Sequence, residues 1–211
     1  MKTSNLIHLL AANPEPVDPR AVTKSLAWPL GLGLVASVLL SVLAIGVLPA
    51  EAFVLPAVWV KFVYGVALAL SLVALLSRLY RPGAPTQAVI KWPLLTLLVM
   101  TLIGFAYLMF TPESHRAAVI FGRTWLACPW FVLGLSLPAL AALLWAARQL
   151  APTDLKTTGF ATGLLAGAIG ALGYSFACPE TSLTFVAIWY TAGIVLAGLV
   201  GRAVGPVVLR W

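Results

Sequence analysis

The chain has 211 residues, of which 62% are hydrophobic and only 9% are charged, and its mean hydropathy is +1.03. Soluble domains carry about 25% charged residues, so this composition excludes a soluble globular fold. It also excludes disorder, which requires low hydrophobicity and high charge. The net charge of +7 does not indicate direct nucleic-acid binding, because the basic residues are scattered between apolar runs and form no single patch. We therefore expect a protein whose main partner is the lipid bilayer.

The N-terminal segment, residues 1–25, contains one predicted amphipathic helix. Leu6, Ile7, Leu9 and Leu10 fall on one side of a helical wheel, and Asn13-Pro14 ends the helix. A helix of about ten residues is marginal alone in water, so its apolar stripe has to be buried. Two alternatives are open: the membrane surface, which would favour more flanking basic residues, and a hydrophobic groove on a cytoplasmic partner.

Residues 26–211 contain six apolar runs, each near the length of about 20 residues that a membrane-spanning helix needs. Turn-forming residues separate them, and residues 111–124 read as a loop. The first run is too long for a cleaved signal peptide and follows an acidic, proline-containing segment, so we interpret it as a span. The predicted fold is an all-α bundle of six transmembrane helices. The spans are expected at about 26–48, 55–77, 93–110, 125–147, 158–178 and 183–205.

The basic residues predict how the chain lies in the membrane. An even number of spans puts both termini on one side, and ten of the thirteen basic residues belong to that side. The positive-inside rule places it in the cytoplasm. On the opposite side, Lys61 lies close to a span end, where its ammonium group can snorkel to the interface. The ten are Lys2, Arg20, Lys24, Arg78, Arg81, Lys91, Arg148, Lys156, Arg202 and Arg210, and the other three are Lys61, Arg116 and Arg123.

The two cysteines are predicted to lie level with each other. Cys128 opens the fourth span and Cys178 closes the fifth, and each lies 25 residues from Thr153 in the turn between these spans. In an antiparallel helical hairpin, equal distance from the turn means equal depth. A rise of about 37 Å over 25 residues exceeds a hydrocarbon core of about 30 Å. Both thiols are therefore expected at the interface away from the termini, in an oxidising compartment.

Three interpretations are open for this cysteine pair, two of them functional. A helix N-terminus and the nearby Arg123 favour the thiolate of Cys128, which indicates either a redox-reversible pair or a soft-metal site. His115 and Glu180 lie on the same side as possible additional metal ligands. The third alternative is that both cysteines are ordinary small buried residues. No cofactor is required, and a soft metal ion at the pair is the one candidate.

The sequence carries no catalytic motif. It lacks H-E-x-x-H, G-x-S-x-G and P-loop patterns, so we predict that the protein is not an enzyme. A membrane thiol oxidoreductase would need a second redox centre, and a metal or solute carrier would need ionisable residues in mid-span. The sequence has no further cysteine pair and no Asp, Glu or His near the centre of a span. A purely structural membrane subunit stays open as an alternative.

Small residues at four-residue spacing predict close helix packing between the fifth and sixth spans. One row is Gly159, Gly163 and Gly167 on the fifth span, and the other is Gly193, Ala197, Gly201 and Gly205 on the sixth. On the fourth span, Gly134 is expected to face the row on the fifth span.

A set of short motifs runs along the chain in this order: Met1-Lys2-Thr3, Leu6-Ile7, Leu9, Pro16-Val17, Trp59-Val60-Lys61, Arg81-Pro82-Gly83, Cys128-Pro129, Cys178-Pro179, Leu183-Thr184, Trp189-Tyr190 and Leu209-Arg210-Trp211. Together with the six predicted spans, these motifs resemble the NrsF family of integral-membrane negative regulators of sigma F. The resemblance implies an anti-sigma factor of the bacterial inner membrane, with both termini cytoplasmic. Its N-terminal segment would bind an extracytoplasmic-function sigma factor, and Cys128 and Cys178, facing the periplasm, would sense heavy metal or oxidant.

Overall fold

The computed structural model describes Thr3 and residues 21–81, 83–150 and 152–210. Regular structure in this part of the chain is helical, without strands, which confirms the predicted all-α class. Six helices are long and apolar enough to cross a membrane, as predicted. The helices are α1 (Ala21–Ala44), α2 (Pro56–Leu79), α3 (Lys91–Phe110), α4 (Glu113–Phe121), α5 (Cys128–Arg148), α6 (Leu155–Ser175) and α7 (Leu183–Val208).

Two elements differ from the predicted boundaries by more than three residues. The first span lies earlier in the chain than 26–48, because α1 already begins at Ala21. The expected loop 111–124 contains the short helix α4, which starts after Pro112 and ends at Phe121. Gly122 has φ +56°, a left-handed conformation that glycine adopts at helix ends without steric cost. The chain therefore folds back at Gly122 toward the start of α5.

Local sequence signals explain where the spanning helices begin. Pro56 lies in the first turn of α2, where its missing N–H group has no helical partner to lose. The carboxylate of Asp154 accepts a hydrogen bond from the Thr157 N–H at 3.1 Å and starts α6. The hydroxyl of Ser182 accepts one from the Phe185 N–H at 3.2 Å and starts α7. Both are standard N-caps that satisfy otherwise unpaired donors.

The bundle is built around α6, which packs against α1, α2, α5 and α7. The closest packing joins α6 to α7, as the rows of small residues predict. A Cβ atom on Gly163 would overlap the carbonyl oxygen of Ala197, and one on Gly167 would lie 2.8 Å from Ile194 Cα. The prediction for Gly134 is wrong, since nothing lies within 4 Å of its Cβ position. It is Gly170 of α6 that packs against α5, so the two helices meet on another side.

This packing predicts different effects for the same substitution at two glycines. We expect Gly163→Leu to destabilise the bundle by about 1–3 kcal/mol or more, because the larger side chain forces α6 and α7 apart. Gly134→Leu is the matched control, because it makes the same change on an exposed surface of α5. The measurement is the temperature at which half of the detergent-solubilised protein loses its monodisperse elution peak. Equal temperatures for both variants would contradict the prediction.

Hydrogen bonds between side chains connect the spans within the apolar interior. Tyr64 on α2 bonds Thr191 of α7 with an oxygen–oxygen distance of 2.8 Å, and Tyr80, directly after α2, bonds Thr162 of α6 at 3.0 Å. Near the other edge of the bundle, Thr184 donates to the carbonyl oxygen of Gly104 at 2.8 Å. Polar groups in an apolar environment are costly unless paired. These pairs therefore help to hold α2, α3, α6 and α7 in register with one another.

The bundle has two ends, which we call the cysteine face and the terminal face. The cysteine face comprises residues 45–55, 111–127 and 176–182, together with the helix ends that flank them. The terminal face is the opposite end, where α1 begins and α7 ends. Large apolar side chains cover much of the outer surface between them, most densely on α3. Such a surface is suited to contact with lipid acyl chains.

Candidate functional site

Both cysteines lie in one buried cluster at the cysteine face. Cys128 is the first residue of α5, and Cys178 follows the end of α6, with its N–H donating to the Tyr174 carbonyl at 2.9 Å. Both side chains are 0% exposed, and both thiols are free. The two thiols are close enough to interact electrostatically. The structure therefore brings the two cysteines together and encloses them in protein.

A lysine lies beside the thiols. Lys61, in the second turn of α2, is 1% exposed, and its Nζ donates to the carbonyl oxygen of Cys178 at 2.9 Å. Its ammonium group faces the Cys178 thiol and also interacts with Cys128 and Glu180. The expectation that Lys61 snorkels to the interface is wrong, because the side chain points into the bundle. The carbonyl past the C-terminal end of α6 attracts a cation there.

The expected cation near Cys128 is also a different residue. The sequence places Arg123 just before Cys128, but the structure leaves Arg123 exposed. Arg123 contributes its backbone N–H, which donates to Glu180 Oε1 at 2.7 Å. Lys61 is the charged side chain that faces both thiols. The positive charge at this site thus comes from α2, which is distant in sequence.

Glu180 joins the two segments that carry the cysteines. Its Oε1 accepts hydrogen bonds from the N–H of Arg123, from the N–H of Thr124 at 3.1 Å and from Thr124 Oγ1 at 3.2 Å. A Cβ on Gly122 would lie 2.6 Å from Glu180 Oε2, so the loop before Cys128 follows the carboxylate closely. Glu180, predicted as a possible metal ligand, thus holds the segment after Cys178 against the loop before Cys128.

Two tyrosines complete the wall around Cys178. Tyr174, in the last turn of α6, faces both the Cys178 thiol and Thr124. Tyr190 is fully buried and faces the same thiol, and its hydroxyl has no other hydrogen-bond partner among the described residues. Tyr190 belongs to a π-helical turn, Val186–Tyr190, within α7. Such turns occur frequently at functional sites because they redirect side chains.

The described residues contain no group of three His, Cys, Asp or Glu side chains suited to hold a metal ion. His115 is exposed on α4, where its Nδ1 pairs with Ser114 Oγ at 3.0 Å. The pair Cys128 and Cys178 is therefore the soft donor set that the described part of the chain offers. Two thiolates suit a thiophilic ion of low coordination number.

The other predicted site lies outside the described residues. It is the apolar stripe formed by Leu6, Ile7, Leu9 and Leu10. The role of this stripe in binding the sigma factor stays a prediction. Sequence reasoning missed Lys61, Tyr174 and Tyr190 as members of the cysteine cluster. One signal for Lys61 was present: a lysine within an apolar span is rare and usually faces the bundle interior or a polar partner.

Comparison with known proteins identifies the family to which the chain is similar. The model of the family described as "NrsF: Negative regulator of sigma F" matches residues 10–211. The chain is 36% identical over 213 aligned residues to a probable anti-sigma-F factor NrsF of Azospira oryzae, with both chains fully covered. It is also 36% identical over 223 aligned residues to the anti-sigma-F factor NrsF of Caulobacter vibrioides, again over the full length of both.

No solved structure matches the chain, so the family assignment rests on sequence. The matches cover the six spans and both cysteine-bearing segments. They agree with the resemblance drawn from the ordered motifs of the sequence. The chain therefore belongs to the NrsF family of negative regulators of sigma F.

Proposed function

We propose that this protein is an anti-sigma factor of the bacterial inner membrane that controls an extracytoplasmic-function sigma factor. Its N-terminal segment holds the sigma factor away from RNA polymerase. Release follows when heavy metal or oxidant reacts with Cys128 and Cys178. Family membership supports the anti-sigma role. The observation that carries the sensing role is the meeting of both cysteines of the chain in one cluster.

The distribution of charge supports an orientation with both termini in the cytoplasm. Ten basic residues flank the helix ends of the terminal face or lie in the N-terminal segment, against three on the other side. Of those three, Lys61 is buried within the bundle, so the cysteine face carries little exposed positive charge. By the positive-inside rule the cysteine face then lies in the periplasm. A sensor there reads the environment outside the cytoplasm, while the N-terminal segment meets the sigma factor inside.

The N-terminal segment is the part of the chain best suited to the sigma factor. Leu6, Ile7, Leu9 and Leu10 form an apolar stripe on a predicted helix that is too short to be stable alone. A groove on the partner would supply the missing burial, in the manner of other helix-in-groove complexes. A membrane regulator with a single cytoplasmic segment of this kind needs no enzymatic step to act on its partner.

Co-purification tests this proposal. We would tag the C-terminus, solubilise the protein in mild detergent and identify bound proteins by mass spectrometry, beside a variant that lacks residues 2–13. We expect a sigma factor with the full chain and none with the truncated chain, at equal yields of folded protein. Recovery of the sigma factor with both the full and the truncated chain would show that it binds outside residues 2–13. Its absence from both would overturn the anti-sigma proposal and favour a thiol oxidoreductase or a metal or solute carrier.

A further inference from the structure

The two thiols share the same burial but have different neighbours. Both are 0% exposed, so access from solvent favours neither. The thiol of Cys178 faces three groups that can donate a hydrogen bond: the ammonium of Lys61 and the hydroxyls of Tyr174 and Tyr190. The thiol of Cys128 has only longer-range charges around it, with no side-chain donor at hydrogen-bonding distance among the described residues.

The Tyr190 hydroxyl is one of the donors that distinguish the surroundings of the Cys178 thiol from those of the Cys128 thiol. It is completely buried, and among the described residues it has no hydrogen-bond partner apart from the Cys178 thiol that it faces. A buried hydroxyl without a well-formed hydrogen bond costs free energy unless another state of the site uses the group. Lys61 likewise has three N–H donors, and the Cys178 carbonyl takes one of them. Donors fixed in a buried site stabilise negative charge that develops during a reaction, without any reorganisation at that moment. The Cys178 sulfur is the atom that both donors face.

We propose that Cys178 is the thiol that attacks the oxidant, with Lys61 and Tyr190 stabilising its sulfur, and that Cys128 is the resolving thiol. This inference rests on the proposed sensing role and assigns the order of events within it. It makes the pair asymmetric although both cysteines precede a proline at a helix end.

With a hydroperoxide as oxidant the chemistry balances in two steps. The Cys178 sulfur attacks one peroxide oxygen, the O–O bond breaks, and an S–O bond forms. The thiol proton leaves with the departing oxygen, which is water when the oxidant is hydrogen peroxide. The Cys128 sulfur then attacks the Cys178 sulfur, the S–O bond breaks, and the hydroxyl leaves as water with the Cys128 proton. Two electrons pass from the sulfurs to the peroxide, and a disulfide forms.

Single-cysteine variants test the assignment. Membranes with Cys128→Ser or Cys178→Ser would be exposed to hydrogen peroxide in the presence of dimedone, which traps sulfenic acid, and the labelled residue would be identified by mass spectrometry. We expect labelling of Cys178 in the first variant to be at least tenfold faster than labelling of Cys128 in the second. Equal rates, or faster labelling of Cys128, would overturn the proposal. This comparison leaves Lys61 and Tyr190 unchanged.

A second measurement tests the role of Lys61. In the Cys128→Ser background, Lys61→Met should slow labelling of Cys178 about 100- to 1,000-fold, the usual effect of losing one positioned donor. Tyr64→Phe is the matched control: it removes a buried hydrogen bond of the same helix, to Thr191, one turn away, and should leave the rate unchanged. If Lys61 merely supports the fold, Lys61→Met opens the site and labelling becomes faster, which would overturn the proposal.

The labelling experiments need no sigma factor, so the two proposals fail separately. Selective labelling of Cys178 in a protein whose sigma factor ignores peroxide supports the inference while removing oxidant sensing from the proposed function. Release of the sigma factor by peroxide together with labelling of Cys128 first keeps the proposed function and overturns the inference.

Discussion

Replacing Leu6 and Leu10 by aspartate is expected to release the sigma factor and to switch its target genes on without stress. Each leucine that leaves a buried groove costs about 1.5–3 kcal/mol, and the new carboxylates would have to be desolvated as well. Two such losses weaken binding about 100-fold or more, since 1.4 kcal/mol corresponds to a factor of ten. The readout is a reporter fused to a promoter of the sigma factor, in cells grown without metal or oxidant.

The opposite side of the same predicted helix offers the control. Asn5→Asp with His8→Asp adds two negative charges within the same few residues and leaves the apolar stripe intact. We expect reporter activity near that of the unchanged protein for this variant. Unchanged reporter activity for the Leu6→Asp, Leu10→Asp protein, at a normal level in the membrane, would show that the stripe does not hold the sigma factor.

The membrane architecture was predictable from the sequence because one strong physical signal determines it. Apolar runs of about 20 residues have few alternatives to spanning a bilayer, and all six are present as helices. The rows of small residues were equally informative, since close approach of α6 and α7 requires them at Gly163 and Gly167. The helix α4 was missed because its nine residues mix polar and apolar side chains without a long periodic pattern.

The composition of the cysteine cluster was predictable only in part. Equal distance of Cys128 and Cys178 from one turn predicts equal depth, and the structure brings both to the same face. The spacing along the chain does not predict that Lys61, which reaches the site from α2, lies beside the cysteines. A lysine near a span end either snorkels outward or turns inward, and the choice depends on which side of the helix faces the neighbouring carbonyl.

Packing gives Glu180 a structural contact that the sequence does not predict, while its role as a metal ligand stays a prediction. Read from the sequence, a glutamate two residues after a cysteine is a reasonable metal ligand. In the fold its Oε1 is taken by three donors from Arg123 and Thr124. Those donors become neighbours only once the turn at Gly122 brings the loop back. The contact therefore spans more than fifty residues of sequence, and no local pattern reports it.

The second large effect is expected from removing both thiols. A protein with Cys128→Ser and Cys178→Ser should bind the sigma factor normally and lose its response to metal and to oxidant entirely. Moving a sigma factor from about nine-tenths bound to about nine-tenths free requires about 2.7 kcal/mol of differential stabilisation, since 1.4 kcal/mol corresponds to a factor of ten. A new disulfide supplies about 2–4 kcal/mol, and thiolate–metal bonds supply more, whereas serine hydroxyls at the same positions offer neither. The measurement is reporter induction by cadmium and, separately, by hydrogen peroxide.

Ala177→Ser is the matched control for this experiment. It adds a hydroxyl beside Cys178 at a position that is also buried, with 9% exposure, and it keeps both thiols. We expect full induction from this variant, because the reactive atoms and the contacts of Lys61 and Glu180 are unchanged. Normal induction of the double-serine protein would place the sensor outside the cysteine cluster. Induction by cadmium but not by peroxide would separate the two signals, since the metal would then act through other residues while oxidation requires the pair.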